Sequence, residues 1–183
     1  ALGVNDHHVS LYVHEPTYKA VRASNPGRRW DGDTPRFDSY VVDGTTPDIE
    51  RASAAIHEIS VGARQSSYEE ICSVLAFVQA IPYSRDIETT GRDEYWRYPI
   101  ETLYDETGDC EDSTILAASI LRRLGHRVVA LSLPSHAALG VELPRGIEGH
   151  YVVHGGRRYY YCETTAEGWC VGELPKDFRE ADA

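Results

Sequence analysis

Residues 108–125 read GDCEDSTILAASILRRLG, and this stretch decides which fold we expect. Asp109 is a good N-cap residue, and Asp112 follows three residues later, in the first turn of the helix that would begin here. The apolar residues that follow recur at helical spacing, and Gly125 suits the position just after a helix end. The stretch therefore predicts a helix with Cys110 in its first position.

The hydrophobic period changes after this helix from that of a helix to that of strands. We predict four strands, at 127–133, 137–143, 150–154 and 157–163. Gly155 and Gly156 separate the last two and signal a two-residue hairpin turn. We therefore expect a mostly antiparallel sheet packed on the Cys110 helix, which is an α+β fold.

Two helices are expected earlier in the chain. The first begins at Thr46, with a proline in its first position, and ends near Gly62. The second begins at Ser66 or Ser67, each of which has a Glu three residues later, as in a capping box. Pro82 ends this second helix, since proline cannot continue it.

Three other segments are less regular. Residues 8–13 have the character of a strand, and residues 24–38 are rich in Gly, Pro, Asn and Asp and indicate a loop. Residues 83–108 form a loop that is long for a compact domain, with a short helix expected at 99–104. Long loops of this kind are often functional.

The composition is that of a soluble globular protein, and its 183 residues suit one domain. The formal net charge of −11 disfavours nucleic-acid binding, because such a surface repels phosphates. No apolar run approaches the ~20 residues that cross a bilayer. Because the chain contains no Met, we expect it to be a processed form or a piece of a longer protein.

The sequence contains four cysteines, Cys72, Cys110, Cys162 and Cys170. Their spacing matches no zinc ribbon or finger, and a chain of this length does not need disulfides to fold. Whether Cys162 and Cys170 pair is left open. Cys162 is expected to lie in the core.

Cys110 is the candidate nucleophile. A thiol attacks as the thiolate, and the N-terminus of a helix stabilises that anion. The backbone N–H of a first helical residue is also a free donor that can help to form an oxyanion hole. The acids at 109, 111 and 112 oppose thiolate formation, and a cationic histidine would offset them.

The candidate base is one of the eight histidines. His136 begins a predicted strand after a Pro-Ser break, where its side chain can stand at the sheet edge, and His150 is the alternative. His154 flanks the Gly-Gly turn and is expected to be exposed. A base imidazole also needs a partner that orients it, and Glu163, at the end of an apolar strand, can supply this partner from a neighbouring strand.

The segments 98–125, 135–143 and 150–169 together resemble the microbial transglutaminase-like cysteine peptidase superfamily, and the Gly-Asp-Cys-Glu-Asp block at 108–112 is its most specific feature. The resemblance implies a papain-like core, a nucleophile at Cys110, a base at His136 and an acid at Glu163. Most of the superfamily has Asp at the last position, and Glu here resembles one microbial branch. On this basis residues 66–175 form the catalytic core of a single domain, and residues 1–65 an N-terminal extension with the first helix.

The resemblance also implies an activity, which is acyl transfer from an amide through a thioester. We expect hydrolysis of a protein or peptide substrate without a cofactor or metal, and transglutaminase cross-linking is the alternative. Trp96, Tyr104 and Asp112 are candidates for lining the site, the first two as oxyanion donors. Many relatives are exported or membrane-anchored, so a parent chain with that layout is expected.

Two other interpretations remain. The fold can serve as an inert binding or assembly module, with the aromatic segments 95–98 and 157–161 forming a groove. A metal site of His150, His154, Cys162 and Cys170 is disfavoured, because the two histidines would lie about 13 Å apart along a strand.

Overall fold

The computed structural model describes residues 9–24 and 37–179. Within these ranges the chain forms eight helices and four strands. The helices are α1 (Glu15–Ser24), α2 (Phe37–Asp43), α3 (Pro47–Gly62), α4 (Ser67–Gln79), α5 (Asp86–Thr90), α6 (Pro99–Asp105), α7 (Cys110–Arg123) and α8 (Lys176–Arg179). The strands are β1 (Val128–Leu133), β2 (His136–Glu142), β3 (Tyr151–His154) and β4 (Arg157–Cys162). None of the helices in these ranges is both long and apolar enough to cross a membrane.

Helix α7 begins and ends as its sequence predicts. The N-cap is Asp109, and Asp112 completes a capping box by accepting a hydrogen bond from the Asp109 N–H. Gly125 follows the helix with a φ of 91°, a conformation that favours glycine. Every residue from Asp112 to Leu121 is buried, so α7 is the central helix of the fold.

The four strands form one antiparallel sheet in the order β1-β2-β4-β3. Gly155 and Gly156 connect β3 to β4 with φ angles of 56° and 76°, as the predicted two-residue turn requires. Strand β2 lies between β1 and β4 and packs on α7, while α3 and α4 cover α7 from other sides. The α+β prediction, with a central helix on an antiparallel sheet, is confirmed.

The N-terminal region contains more helix than the sequence predicted. Residues 9–13 are not a strand, and α1 and α2 precede the helix that was expected to come first. Helix α1 buries none of its residues fully and is held by tertiary contacts, since Tyr18 stacks on Tyr104 and donates a hydrogen bond to Asp105. Such contacts leave no periodic signal. The predicted loop at 24–38 lies mostly outside the described residues, but Phe37 and Asp38 begin α2.

The long segment 83–108 folds against the start of α7. It contains the predicted short helix, observed as α6, and a further short helix, α5, that was not predicted. Its end is fixed at Gly108, whose carbonyl accepts a hydrogen bond from the Ser84 N–H. A Cβ atom built at Gly108 would lie 2.7 Å from the Cβ of Asp112, which is closer than two carbons can pack. Because Gly108 has no side chain, the backbone before Asp109 can pack directly against the Asp112 side chain of the capping box.

We predict that Gly108→Ala destabilises the fold by about 1–3 kcal/mol, because the new methyl group pushes Asp112 out of place. Urea unfolding followed by circular dichroism measures the change. Gly62→Ala is the matched control, because a Cβ there meets nothing within 4 Å and alanine suits a helix end. Equal unfolding midpoints for the two variants would contradict the packing argument.

Candidate active site

A cavity of about 640 Å³ lies at the N-terminus of α7. Cys110 and His136 both line it, with one wall from segment 83–109 and the other from β1, β2 and the turn between them. A second cavity of about 580 Å³ is lined mainly by β1 and β3 and contains no cysteine. The cavity at Cys110 is therefore where nucleophilic chemistry is to be sought.

Glu163 contacts His136. The imidazole Nε2 of His136 lies 3.0 Å from Oε2 of Glu163, and the Tyr161 hydroxyl donates to the same oxygen at 2.7 Å. The other oxygen, Oε1, accepts from the Thr164 N–H and from the N–H and hydroxyl of Thr165, at 2.8–3.0 Å. Burial raises the pKa of Glu163, but hydrogen bonds from His136, Tyr161 and Thr165 outweigh burial and lower this pKa to about 2. Glu163 is therefore an ionised carboxylate at neutral pH. Because Nε2 of His136 contacts Glu163, the other imidazole nitrogen, Nδ1, is free of this contact.

A second set of hydrogen bonds joins the Glu163 segment to the helices. Gln79, at the end of α4, donates to the backbone carbonyls of Glu163 and Trp169 at 2.9 and 3.1 Å. The hydroxyl of Thr164 lies 2.8 Å from that of Ser113 and 3.2 Å from that of Thr114, both in the first turns of α7. The strand end that carries the acid is therefore tied to the helix that carries Cys110.

The Cys110 side chain is buried, and its thiol donates a hydrogen bond to Oε2 of Glu111 at 2.8 Å. Burial raises the pKa of the thiol, and Glu111 raises it further, whereas the N–H of Ala137 lowers it. The expected stabilisation of the thiolate by the helix N-terminus is thus outweighed in this resting arrangement. The Cys110 N–H donates no hydrogen bond within the helix and has no acceptor among the described residues.

Arg97 is fully buried and pairs with Asp86, which lines the cavity. Its Nη1 contacts Asp86 at 2.8 Å and Asp112 at 2.5 Å, and its backbone N–H donates to Asp112 at 2.6 Å. Asp86, Asp109 and Asp112 lie within 4.8 Å of one another, close enough for a metal ion to bridge them. Arg97 supplies a positive charge to two of the three, and burial together with the neighbouring carboxylates raises the pKa of Asp109 to about 9. Asp109 therefore holds a proton more readily than an ordinary carboxyl group does.

Of the three further residues predicted to line the site, only Trp96 does so directly. It lines the cavity, and its buried indole Nε1 makes no hydrogen bond of good geometry within the described residues, although it lies close enough to Glu94 to lower the pKa of that carboxyl. Asp112 lies beneath the site, where it accepts hydrogen bonds from Arg97. The prediction that Tyr104 lines the site is wrong. Its ring stacks on that of Tyr18 of α1 with centroids 3.9 Å apart, and it does not line the cavity.

The alternative residues do not gather at the cavity. His150 and His154 are exposed, while Cys162 is fully buried as predicted, so the disfavoured metal site does not assemble. All four cysteines are free, so Cys162 and Cys170 form no disulfide. The Tyr residues at 159–161 are all buried, which removes most of the proposed aromatic groove.

The sequence reasoning missed several residues at the site. Tyr161, Thr165 and Arg97 each contact a predicted residue or its partner, whereas Glu111 was expected to oppose thiolate formation but not to bind the thiol directly. Arg97 carried a usable signal, since an arginine between Trp96 and Tyr98 is in an apolar context, where a buried charge requires an acid partner. Comparison with known proteins assigns the chain to no family, because no protein-family model and no curated protein matches it.

We predict that Tyr161→Phe raises the pKa of Glu163 above its value of about 2, because one hydrogen bond to the carboxylate is lost. Since the folded pKa lies below that of the unfolded chain, Glu163 stabilises the fold above about pH 4, and this stabilisation is lost as the pH falls toward 2. Carboxyl ¹³C NMR measures the change. Tyr160→Phe is the control, because the buried Tyr160 hydroxyl has no partner in the described part of the chain. An unchanged titration in Tyr161→Phe would show that this hydroxyl does not stabilise the carboxylate.

Proposed function

We propose that this protein is a cysteine-dependent acyl-transfer enzyme that hydrolyses peptide amides, with a papain-like core of the transglutaminase-like kind. The observation that carries the proposal is the His136–Glu163 contact of 3.0 Å beside the cavity that Cys110 also lines. A nucleophile, a base and an acid that orients the base are the parts that this chemistry requires.

In the proposed reaction His136 takes the thiol proton of Cys110, and the thiolate attacks the carbonyl carbon of the substrate amide. The C–N bond then breaks, and the imidazolium gives its proton to the departing amine, which leaves a thioester on Cys110. Water attacks the thioester, His136 accepts the proton of the water, and the C–S bond breaks to release the acid. The proton returns to the Cys110 thiolate, so that the enzyme is restored. Glu163 stabilises the imidazolium in both halves.

Two N–H groups are suited to hold the oxyanion that forms in each attack. In the described part of the chain the backbone N–H of Cys110 is free at the helix start, and the buried indole N–H of Trp96 makes no hydrogen bond of good geometry in the same cavity, with Glu94 as the carboxylate nearby. A buried donor without a partner is costly unless a ligand satisfies it. This cost is the support for Trp96 as a donor to bound substrate.

The second candidate function is an inert binding or assembly module on the same fold. One observation favours it. The Cys110 thiol donates a hydrogen bond to Glu111, and burial together with this carboxylate raises the pKa of the thiol. A thiol held in this state is a poor nucleophile until the carboxylate is moved or neutralised.

A peptide library decides between the two functions. We expect the protein to cleave some of its members, and a thioester to be trapped on Cys110 and seen by mass spectrometry after acid quenching. Cys110→Ala should lose all cleavage, and Cys162→Ala, which removes a buried thiol outside the site, should retain it. Cleavage that persists in Cys110→Ala would refute the proposal, and the absence of cleavage and of thioester across the library would favour the binding module.

A further inference from the structure

Strand β1 forms one edge of the sheet, and its outer side has no neighbouring strand in the described part of the chain. The Glu142 N–H donates to the Arg127 carbonyl at 2.8 Å, so the pair just before β1 is a hydrogen-bonded pair. Such pairs alternate with non-hydrogen-bonded pairs along an antiparallel ladder. The register of β1 with β2 therefore turns the backbone groups of Val128, Ala130 and Ser132 away from β2, toward the free edge of β1.

The free edge of β1 offers unpaired hydrogen-bonding groups. Ala130 and Ser132 are exposed, and the backbone N–H and carbonyl groups of these two residues have no partner among the described residues. Proteins usually protect an edge strand with lysine, proline or a bulge, and β1 contains none of the three. An extended peptide can therefore add to this edge as a further strand.

The free edge leads from one cavity to the other. Residues 130–133 line the cavity that holds Cys110 and His136, and residues 128–131 line the second cavity, of about 580 Å³. Because consecutive side chains of a strand point to opposite faces, a cavity lined by four residues in a row follows the edge of the strand rather than one face. Phe37 of α2 lines both cavities as well. The two cavities therefore adjoin along β1.

The second cavity suits an apolar group. Val41 of α2 and Val152 and Val153 of β3 line it together with β1. Val152 and Val153 are 43 % and 64 % exposed, which is much for valine and marks a surface that a partner can cover. Asp38 and Arg122 also line the cavity, and their opposite charges favour neither a cation nor an anion.

We propose that an extended stretch of the peptide substrate pairs with the free edge of β1 and places an apolar side chain in the second cavity. This inference rests on the proposed function, because the edge leads to Cys110 and its occupant is the chain that the thiol attacks. A second copy of the protein is disfavoured as the occupant, because two molecules with a net charge of −11 repel each other.

The position of the apolar residue follows from the length of β1. Val129 lines the second cavity and Leu133 the cavity of Cys110, and a strand advances ~3.3 Å per residue. The apolar residue of the substrate therefore lies about three or four residues from the amide that is cleaved. Since β1 runs toward Cys110, antiparallel pairing places this residue on the leaving side of the amide and parallel pairing on the acyl side.

The test measures peptide binding to Cys110→Ala, which leaves the peptide intact. An array of octapeptides is screened, and the tightest binder is labelled with fluorescein so that fluorescence anisotropy gives its affinity. Leu should bind at least about tenfold more tightly than Ser at one position, because a leucine side chain is buried there. Backbone N-methylation of the peptide should weaken binding at least about threefold at every second residue and have little effect between them, because only alternate N–H groups face β1.

A matched pair of exposed valines tests the second cavity. Val153→Ser, made in Cys110→Ala, should reduce the preference for Leu over Ser at least about threefold, because it removes an apolar wall, and should leave the N-methylation pattern intact. Val61→Ser is the control, because Val61 is 62 % exposed against 64 % for Val153 and lines neither cavity. Equal effects of the two variants would contradict the assignment of the cavity.

The outcomes separate this inference from the proposed function. Binding with the alternating pattern and the Leu preference, but without cleavage by the wild type, supports the edge site and refutes the acyl-transfer proposal. A peptide that the wild type cleaves, but that binds without the alternation or without the Leu preference, overturns the edge site and leaves acyl transfer standing. An array without any binder also overturns the site. A dimer that the peptide dissociates, seen by sedimentation, would assign the edge to a second copy and overturn the proposal.

Discussion

The interaction on which the site depends is the buried ion pair between Arg97 and the carboxylates of Asp86 and Asp112. Three carboxyl groups gathered at one helix start would repel one another and oppose folding. Arg97 makes the arrangement stable by binding two of them, while burial and the neighbouring carboxylates raise the pKa of the third, Asp109. The same contacts join segment 83–109 to α7, so they fix one wall of the cavity relative to Cys110.

The rest of the site rests on hydrogen bonds between the helix and the sheet. Glu163 is held by five donors, and its backbone is fixed by Gln79 of α4. Such a carboxylate can hold the His136 ring in one orientation without taking its proton. The thiol is the part of the site that is not activated, because it donates a hydrogen bond to Glu111 and its pKa is raised. Glu111 and the thiol therefore form one electrostatic unit, in which movement or neutralisation of the carboxylate frees the thiol.

The elements that could be predicted from sequence are those with strong local signals. The capping residues of α7 and α4, the alternating strands and the Gly-Gly turn are local, and the structure confirms them. His136 was favoured over His150 because a break precedes it. Three features could not be predicted in this way. Tertiary contacts decide the position of helices α1 and α2 and of Tyr104. Competition between neighbouring charges decides the hydrogen bond between Cys110 and Glu111.

The central claim is that Glu111 holds the Cys110 thiol at rest and that His136 is the base once this hold is released. The most direct test is the rate of iodoacetamide alkylation of Cys110 from pH 4 to 9 in the wild type, Glu111→Gln and Glu111→Gln/His136→Ala, with the exposed Cys170 as reference in each spectrum. The account predicts slow reaction in the wild type and, in Glu111→Gln, reaction well below the ordinary thiol pKa of ~8.5. This gain should disappear in the double variant. A Glu111→Gln profile that matches the wild type, or a gain that survives the loss of His136, would contradict the account.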